Sequence, residues 1–319
     1  MTIKRALVSV YDKSKISILV DYFVQNKVEV LSTGGTAKHL KSLNPKIKLV
    51  EISKYTKFNE ILGGRVKTLH PKIHSGILAD KNNKKHLEDM ERLKLSFIDL
   101  VVVNLYPFEK ISTNSKSSDE KCIENIDIGG PTMIRAAAKN YKNVITLSSP
   151  DQYDLFINEI KNNSFISKST RKKLAALAFG STAYYESLIS NWFNKNDTEI
   201  CEKNSAIPLK KVKDLRYGEN PHQSGAYYKY GNNKLYQING KSLSFNNIYD
   251  LESAVELSYE FEKSSCVIVK HGNPCGVALD NFQYKAYKKA LICDKTSAFG
   301  GVVAFNQEVN EKTATQIAK

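Results

Sequence analysis

Val28-Glu29-Val30-Leu31-Ser32-Thr33-Gly34-Gly35-Thr36-Ala37 reads as a short apolar strand, a glycine-rich turn and a helix that starts at Ala37. Strand, turn and helix in that order present backbone N–H groups and a helix N-terminus to a phosphate. The stretch is neither a Walker A loop nor a GxGxxG fingerprint, and an ordinary tight turn with a threonine cap would use the same residues. Its neighbours repeat the pattern. Upstream, Ala6–Val10 reads as a buried strand and Ser14–Val24 as a helix, with Tyr11, Asp12 and Lys13 at the strand's carboxyl end. Downstream, the apolar run Ile98–Val103 has the composition of a central parallel strand covered on both faces. It runs into Asn104-Leu105-Tyr106-Pro107-Phe108, at the end where open α/β sheets bind ligands. Glu124–Pro131 then leads into a helix over Thr132–Lys139, and Asn143–Leu147 is another strand. Four or five parallel strands wrapped by helices are expected over residues 1–195.

A second polar stretch, Gly63-Gly64-Arg65-Val66-Lys67-Thr68-Leu69-His70-Pro71, holds two glycines, two cations, a hydroxyl and an imidazole. Arg65 and Lys67 suit a phosphate or a developing oxyanion, whereas a solvated basic loop is the plain alternative. His70 and His74 are four apart, but Pro71 and Lys72 stand where a helical His-Glu-x-x-His site needs other residues, so no metal site is expected. Taken alone, Tyr106 reads as a packed aromatic, Asp127 as a helix cap and Lys139 as a surface residue at a helix end.

The chain has 319 residues, 41% hydrophobic and 25% charged, as ordinary globular proteins do, and no apolar run reaches the length of a membrane span. Five cysteines without a CxxC pair point to a reducing, cytoplasmic setting. The net charge of +14 invites a nucleic-acid partner, but it is nearly all scattered lysine. The six arginines are more selective, and Arg65, Arg135 and Arg216 fall in motif-like stretches. A small phosphorylated molecule is therefore the expected partner, with neither nucleic acid nor membrane. Thr170–Phe193 reads as a long helix with Leu174, Leu177, Ala178 and Phe179 on one face. The polar residues 196–213, which include Pro208, read as a linker before a second domain over 214–319. There, Asn247–Glu262 is helical by pattern, Cys266–Val269 is a strand, and Lys270-His271 sits on a Gly-Asn-Pro-Cys-Gly turn. Cys275 has no base nearby in sequence and reads as packing.

Together these stretches resemble the bifunctional purine-biosynthesis family that joins AICAR transformylase to IMP cyclohydrolase. The matching words are Ser-Thr-Gly-Gly-Thr at 32–36, Gly-Gly-Arg-Val-Lys-Thr-Leu-His-Pro at 63–71, Asn-Leu-Tyr-Pro-Phe at 104–108 and Ile-Asp-Ile-Gly-Gly at 126–130. Arg-Ala-Ala-Ala-Lys-Asn at 135–140, Leu-Arg-Tyr-Gly-Glu-Asn-Pro-His-Gln at 215–223, Val-Lys-His-Gly-Asn-Pro-Cys-Gly at 269–276 and Ser-Ala-Phe-Gly-Gly at 297–301 follow in order. The resemblance implies a methylglyoxal-synthase-like α/β domain that closes the last ring of IMP from formyl-AICAR. Lys13, Thr33, Gly34, Gly35, Thr36, Arg65, Val66 and Thr68 would cradle the nucleotide. Lys67, Asn104, Tyr106, Asp127 and Lys139 would surround the reacting groups. Tyr11 stands where some members have a small hydroxyl residue. The second domain would be the first part of a cytidine-deaminase-like transformylase domain without its zinc. There His271 would act as base, Lys270 would stabilise the transition state, and Arg216, Tyr217 and Asn239 would hold AICAR. The co-substrate would be 10-formyltetrahydrofolate and the assembly a homodimer. Because the family's chains continue past the equivalent of Lys319, the resemblance further implies a competent cyclohydrolase beside an impaired transformylase. Two other readings of the first domain's features are a methylglyoxal-synthase-type lyase and a non-catalytic nucleotide-phosphate-binding module.

Overall fold

The computed structural model describes residues 2–195, 203–231 and 236–318. The chain divides into two compact units, Met1–Pro208 and Leu209–Lys319. In the first, β1 (Arg5–Val10), α1 (Ile16–Gln25), β2 (Glu29–Ser32), α2 (Gly34–Leu43) and β3 (Leu49–Glu51) lead into α3 (Ile52–Thr56), α4 (Pro71–Leu78) and α5 (Lys84–Arg92). β4 (Leu100–Asn104), α6 (Phe108–Ser112), α7 (Asp119–Glu124), α8 (Gly129–Lys139), β5 (Ile145–Leu147), α9 (Tyr153–Asn163) and α10 (Lys168–Asn194) complete it. The five strands form one parallel sheet in the order β3-β2-β1-β4-β5.

Alternation along the strands decides which helix covers which face. Ala6, Val8 and Val10 of β1, with Leu100 and Val102 of β4, pack on Leu19 and Phe23 of α1 and Phe156 of α9. Leu7, Val101 and Val103 point the other way, onto Ile73 of α4, Ile134 of α8 and Ala178 of α10. Both faces are covered, which is why these strands are apolar almost throughout. On α10, Leu174 and Ala178 are buried, but Leu177 and Phe179 are exposed, and Phe179 instead receives the Arg135 guanidinium 5.6 Å from its ring. Arg135 is thus a packing residue on the outer surface of α8. No helix among the described residues is long and apolar enough to cross a membrane.

In the second unit, β6 (Leu209–Asp214) and β7 (Ala226–Tyr230) form a two-stranded antiparallel ribbon. The expected linker therefore ends in a strand. Its lysines suit an open edge, where no buried face asks for an apolar pattern. Next come α11 (Phe245–Tyr259), β8 (Ser265–Lys270), β9 (Asn273–Leu279), α12 (Gln283–Cys293), α13 (Lys295–Ala298), β10 (Val302–Phe305) and α14 (Glu311–Ile317). β10, β8 and β9 make an antiparallel sheet, with Val267 and Val269 packed on α11 and Cys266 and Ile268 on α12.

Candidate active site

The strand order places β2 and β4 on either side of β1, so chain connections leave in opposite directions there. That reversal opens a crevice at the carboxyl ends of the strands. A cleft of about 570 Å³ occupies it, lined by residues that follow β1, β2 and β4, by the 60–68 loop and by the start of α8. Of the residues expected in the first unit's site, Lys13, Thr33, Gly35, Thr36, Arg65, Lys67, Thr68, Asn104, Tyr106 and Asp127 line it. Gly34 stands at its edge, where Lys67 Nζ lies 3.8 Å from the position a Gly34 Cβ would take. Val66 is paired with Ile61 in a short antiparallel bridge and serves the loop's geometry. Lys139 is the exception. It is exposed at the far end of α8, whereas the site lies at Gly129, and an 11-residue helix is about 15 Å long. The resemblance implied a place among the reacting groups, whereas the residue read alone, as a surface lysine at a helix end, matches this position.

Helix α2 begins at Gly34, one turn earlier than its pattern suggested, so the two glycines are its first turn. The threonine hydroxyls are already engaged. Thr33 Oγ1 meets Ser9 Oγ at 3.2 Å, while Thr36 Oγ1 accepts from the Val10 N–H and donates to the Val10 carbonyl. No side chain caps the helix. The first backbone N–H groups of α2 are thus the donors offered to an anion, with the positive end of the helix dipole behind them.

The 63–71 stretch is a tight hairpin followed by a helix start. Ile61 pairs with Val66, and Gly63 and Gly64 make the turn at φ 64° and 95°. A side chain at Gly64 would be strained at that φ and would strike the Glu60 carboxylate as well. Both cations of the hairpin hold carboxylates that line the same cleft: Lys67 Nζ pairs with Glu60 Oε2 at 2.7 Å, and Arg65 pairs with Glu124. His70 caps α4 by accepting the Lys72 N–H, and His74 is hydrogen-bonded to the Thr68 backbone while burial pulls its pKa down.

Asn104 does structural work. Its Oδ1 accepts from the Tyr11 and Asp12 N–H groups at 2.7 and 2.9 Å, and its Nδ2 donates to the Asp12 carbonyl. It shapes the loop after β1, and Tyr11 then packs edge-on against Tyr106 with ring centroids 5.7 Å apart. Burial, reinforced by the Asp127 and Glu60 carboxylates, pushes the Tyr106 phenol above its usual range, which keeps it a proton donor. Asp127 does act as a cap: Oδ1 accepts the Gly130 N–H at 2.7 Å. Its own N–H donates to the Tyr185 hydroxyl at 2.9 Å, a group whose pKa burial pushes up to about 12. Burial also raises the Asp127 carboxyl, against the opposing N–H groups of Gly130 and Tyr106. A carboxyl moved toward neutrality is better matched to proton transfer.

That shift fixes the sign of a pH effect. With the folded-state pKa above the unfolded one, the carboxyl's contribution to stability is full below about pH 4 and is lost as pH rises through the folded value. Asp127→Asn keeps an oxygen for the Gly130 N–H but cannot ionise. Its Tm should therefore gain on the parent's between about pH 4 and pH 7. A parent that gains on the variant over that interval would contradict the assignment.

Glu60, Glu124 and Tyr185 were not singled out in the sequence. The signal for Glu60 was present, since a Gly-Gly turn flanked by Ile61 and Val66 makes residues 60 and 67 cross-strand neighbours. Tyr185 gave none, because its partner lies 58 positions away.

In the second unit, Lys270 ends β8 and pairs across with Asn273, so the expected Gly-Asn-Pro-Cys-Gly turn is mostly strand β9. The reversal is His271-Gly272, both at positive φ (54° and 72°), as a two-residue hairpin requires. His271 is exposed, but the Lys270 ammonium is held by the Phe299 carbonyl at 2.8 Å. Arg216 lies over the Tyr217 ring at 4.9 Å, and the Tyr217 carbonyl accepts from Phe245 at the start of α11. The same helix supplies Asp250, whose Oδ1 accepts the Gly272 N–H at 2.7 Å. Asn239 is exposed and accepts from its neighbour Gly240. Cys275 donates to the Ile268 carbonyl, a packing role.

A family model described as the AICARFT/IMPCHase bienzyme matches residues 137–319, and one described as an MGS-like domain matches 16–132. The bifunctional purine biosynthesis protein PurH of Clostridium botulinum (strain Kyoto / Type A2) is 48% identical over 99% of this chain and 63% of its own length. Its counterpart from Caldicellulosiruptor saccharolyticus is 46% identical with the same coverage of both chains. The chain thus spans 63% of the length of these curated relatives. The crystal structure of ForH superposes with a TM-score of 0.53 at 30% identity, covering 60% of this chain and 99% of that one. On the match to more than half of its residues, the chain belongs to the AICARFT/IMPCHase bienzyme family.

Proposed function

We propose that the first unit closes the purine ring of IMP from formyl-AICAR, with loss of water. One observation carries this reading. A bare helix N-terminus, two cations, a phenol kept protonated and a carboxyl raised toward neutrality converge in one cleft. The amide nitrogen attacks the formyl carbon on the neighbouring ring position, and its proton passes to the formyl oxygen. The resulting hydroxyl then departs as water with the proton of the formamido nitrogen, leaving the C=N bond. Both reacting groups belong to one substrate, so proximity is built in and is worth roughly 7–11 kcal/mol when the geometry is productive. The protein's part is orientation, charge stabilisation and proton transfer. The N-terminus of α2 and Arg65 take the phosphate, Tyr106 and Lys67 face the formyl oxygen, and Asp127 moves protons. Asn104 holds the loop that Tyr106 packs on.

The second unit, with its Lys270-His271 hairpin, we assign to formyl transfer from 10-formyltetrahydrofolate to AICAR. The reading also carries a homodimer, which light scattering measures. The deciding experiment is conversion of formyl-AICAR to IMP by the purified chain, followed by absorbance. Release of methylglyoxal from dihydroxyacetone phosphate instead would favour the lyase chemistry of the domain's namesake. IMP binding without turnover would leave a nucleotide-binding module.

Arg65 separates binding from chemistry. Its pair with Glu124 is solvent-exposed, with 67% and 57% of the two side chains accessible, and such pairs are worth little. A phosphate can therefore take the guanidinium from Glu124 at small cost. Arg65→Ala should weaken IMP binding roughly ten- to a hundredfold, the size of one charge-assisted contact, with a smaller change in kcat. Unaltered affinity in a calorimetric titration would remove Arg65 from the phosphate site.

A further inference from the structure

Asp127 owes its place to a residue outside the cleft. Tyr185 of α10 is 5% exposed, and its ring packs with Phe108, Cys122 and Ile189 in a cluster of its own. Leu105 and Ile126, the residues just before Tyr106 and Asp127, pack onto the same cluster. The hydroxyl at the tip of the Tyr185 ring is used twice. It donates to the Asn125 carbonyl at 3.1 Å and accepts the Asp127 N–H at 2.9 Å. Asn125 caps the end of α7, and Asp127 stands just before the cap of α8, so one hydroxyl closes the turn between the two helices. Both backbone groups lie in that connection, where no regular helix bond serves them. Asp127 Oδ1 in turn accepts the Gly130 N–H at 2.7 Å. A side chain at Gly130 would strike both the Asp127 carboxylate and the Leu105 side chain, so the connections that carry Asp127 and Tyr106 meet there. The carboxyl is thus fixed through its own backbone and through the first turn of α8.

We propose that Tyr185 is a positioning residue for ring closure, an inference that rests on the ring-closing reading of the cleft. By closing the 125–127 turn, its hydroxyl sets where the Asp127 carboxyl stands beside Tyr106. The ring itself lies in the buried cluster and not in the cleft lining, so Tyr185 acts only through Asp127. Proton transfer needs the carboxyl within hydrogen-bond reach of the atom it serves. A displacement of about 1 Å is enough to cost roughly a hundredfold in rate. The phosphate end of the cleft is built on a different element, the first turn of α2.

Tyr185→Phe keeps the ring and removes only the hydroxyl. The Gly130 N–H, which donates to the Asp127 carboxylate, reports whether that carboxyl has moved. Its hydrogen exchange should quicken by roughly tenfold or more in the variant, together with that of the Asp127 N–H. With formyl-AICAR, kcat should fall roughly ten- to a hundredfold. Inorganic phosphate should bind within about twofold of its affinity for the unaltered chain, since distant sites act independently. In an Asp127→Ala background the loss of the hydroxyl should have no further effect on kcat. Tyr184→Phe is the control. It removes the neighbouring hydroxyl of α10, which donates to Glu109 Oε1 at 2.9 Å, and should leave the Gly130 N–H protected. Unchanged exchange at Gly130, an unchanged kcat, an equal loss of kcat with Asp127 absent, or the same loss of protection in Tyr184→Phe would each overturn the proposal. Exchange needs no turnover, so it decides whether Tyr185 places Asp127 even if the unaltered chain does not close the ring. That failure would count against the proposed function alone.

Discussion

Lys67→Ala should slow ring closure by roughly 10²–10³-fold while IMP affinity changes by less than about tenfold, the pattern of a donor used mainly as charge develops. At 2.7 Å from Glu60, the ammonium is already oriented before substrate arrives, so little reorganisation remains for the transition state. A loss of 10²-fold corresponds to about 2.7 kcal/mol, within the range of a single preorganised donor in a partly desolvated cleft. Glu60 also loses its partner in this variant, and a carboxylate left beside Tyr106 disfavours negative charge near the formyl oxygen. The measurement is a steady-state rate series with formyl-AICAR beside calorimetry with IMP. Equal losses in kcat and affinity would make Lys67 a phosphate ligand and not a group acting on the reacting atoms.

The second large effect concerns stability. Gly276 lies in β9 opposite Ile268, where the strand passes directly under α12. A Cβ there would fall inside contact distance of the Ala290 carbonyl oxygen and would stand 2.8 Å from its carbon. Both are helix backbone, so no rotamer relieves the clash, and either strand or helix must move. Ala286 and Ala290 are fully buried at this contact, which shows how closely the two backbones approach. Overpacking of this kind costs typically 1–3 kcal/mol and more where backbone must shift. Gly276→Ala should therefore destabilise the second unit by about 3 kcal/mol, lowering its unfolding temperature by roughly 10 °C or more. The first unit has cores of its own, so ring closure should be unaffected. Hydrogen exchange resolves the two units. Unchanged protection of β8 and β9 in the variant would show that the contact can relax.

Local signals carried the sequence reading a long way. Apolar runs such as Ile98–Val103, followed at once by polar residues, located the parallel strands and the end of the sheet that holds the cleft. The pattern is legible because a strand covered on both faces must be apolar along its length, and ligand-facing residues must lie beyond its end. The two cations of the Gly-Gly-Arg-Val-Lys stretch line that cleft. That the stretch is a hairpin was not legible, because one bridge between Ile61 and Val66 leaves almost no pattern.

What the sequence determined by itself was the order of elements, the α/β class and the residue types gathered after each strand, since periodicity and turn chemistry are local. Tertiary structure decided which of those side chains remain available. Asn104 and Thr36 spend their polar groups on neighbouring backbone, Lys270 gives its ammonium to the Phe299 carbonyl, and Lys139 is carried to the far end of α8. Glu60 enters the cleft as the cross-strand neighbour of Lys67, signalled only by the Gly-Gly turn, and Tyr185 supports Asp127 with no motif to announce it. Hydrogen bonds and ion pairs between distant positions leave no periodic trace in a single chain, so whether a polar residue is free or already satisfied is settled only when the fold brings its partner within about 3 Å.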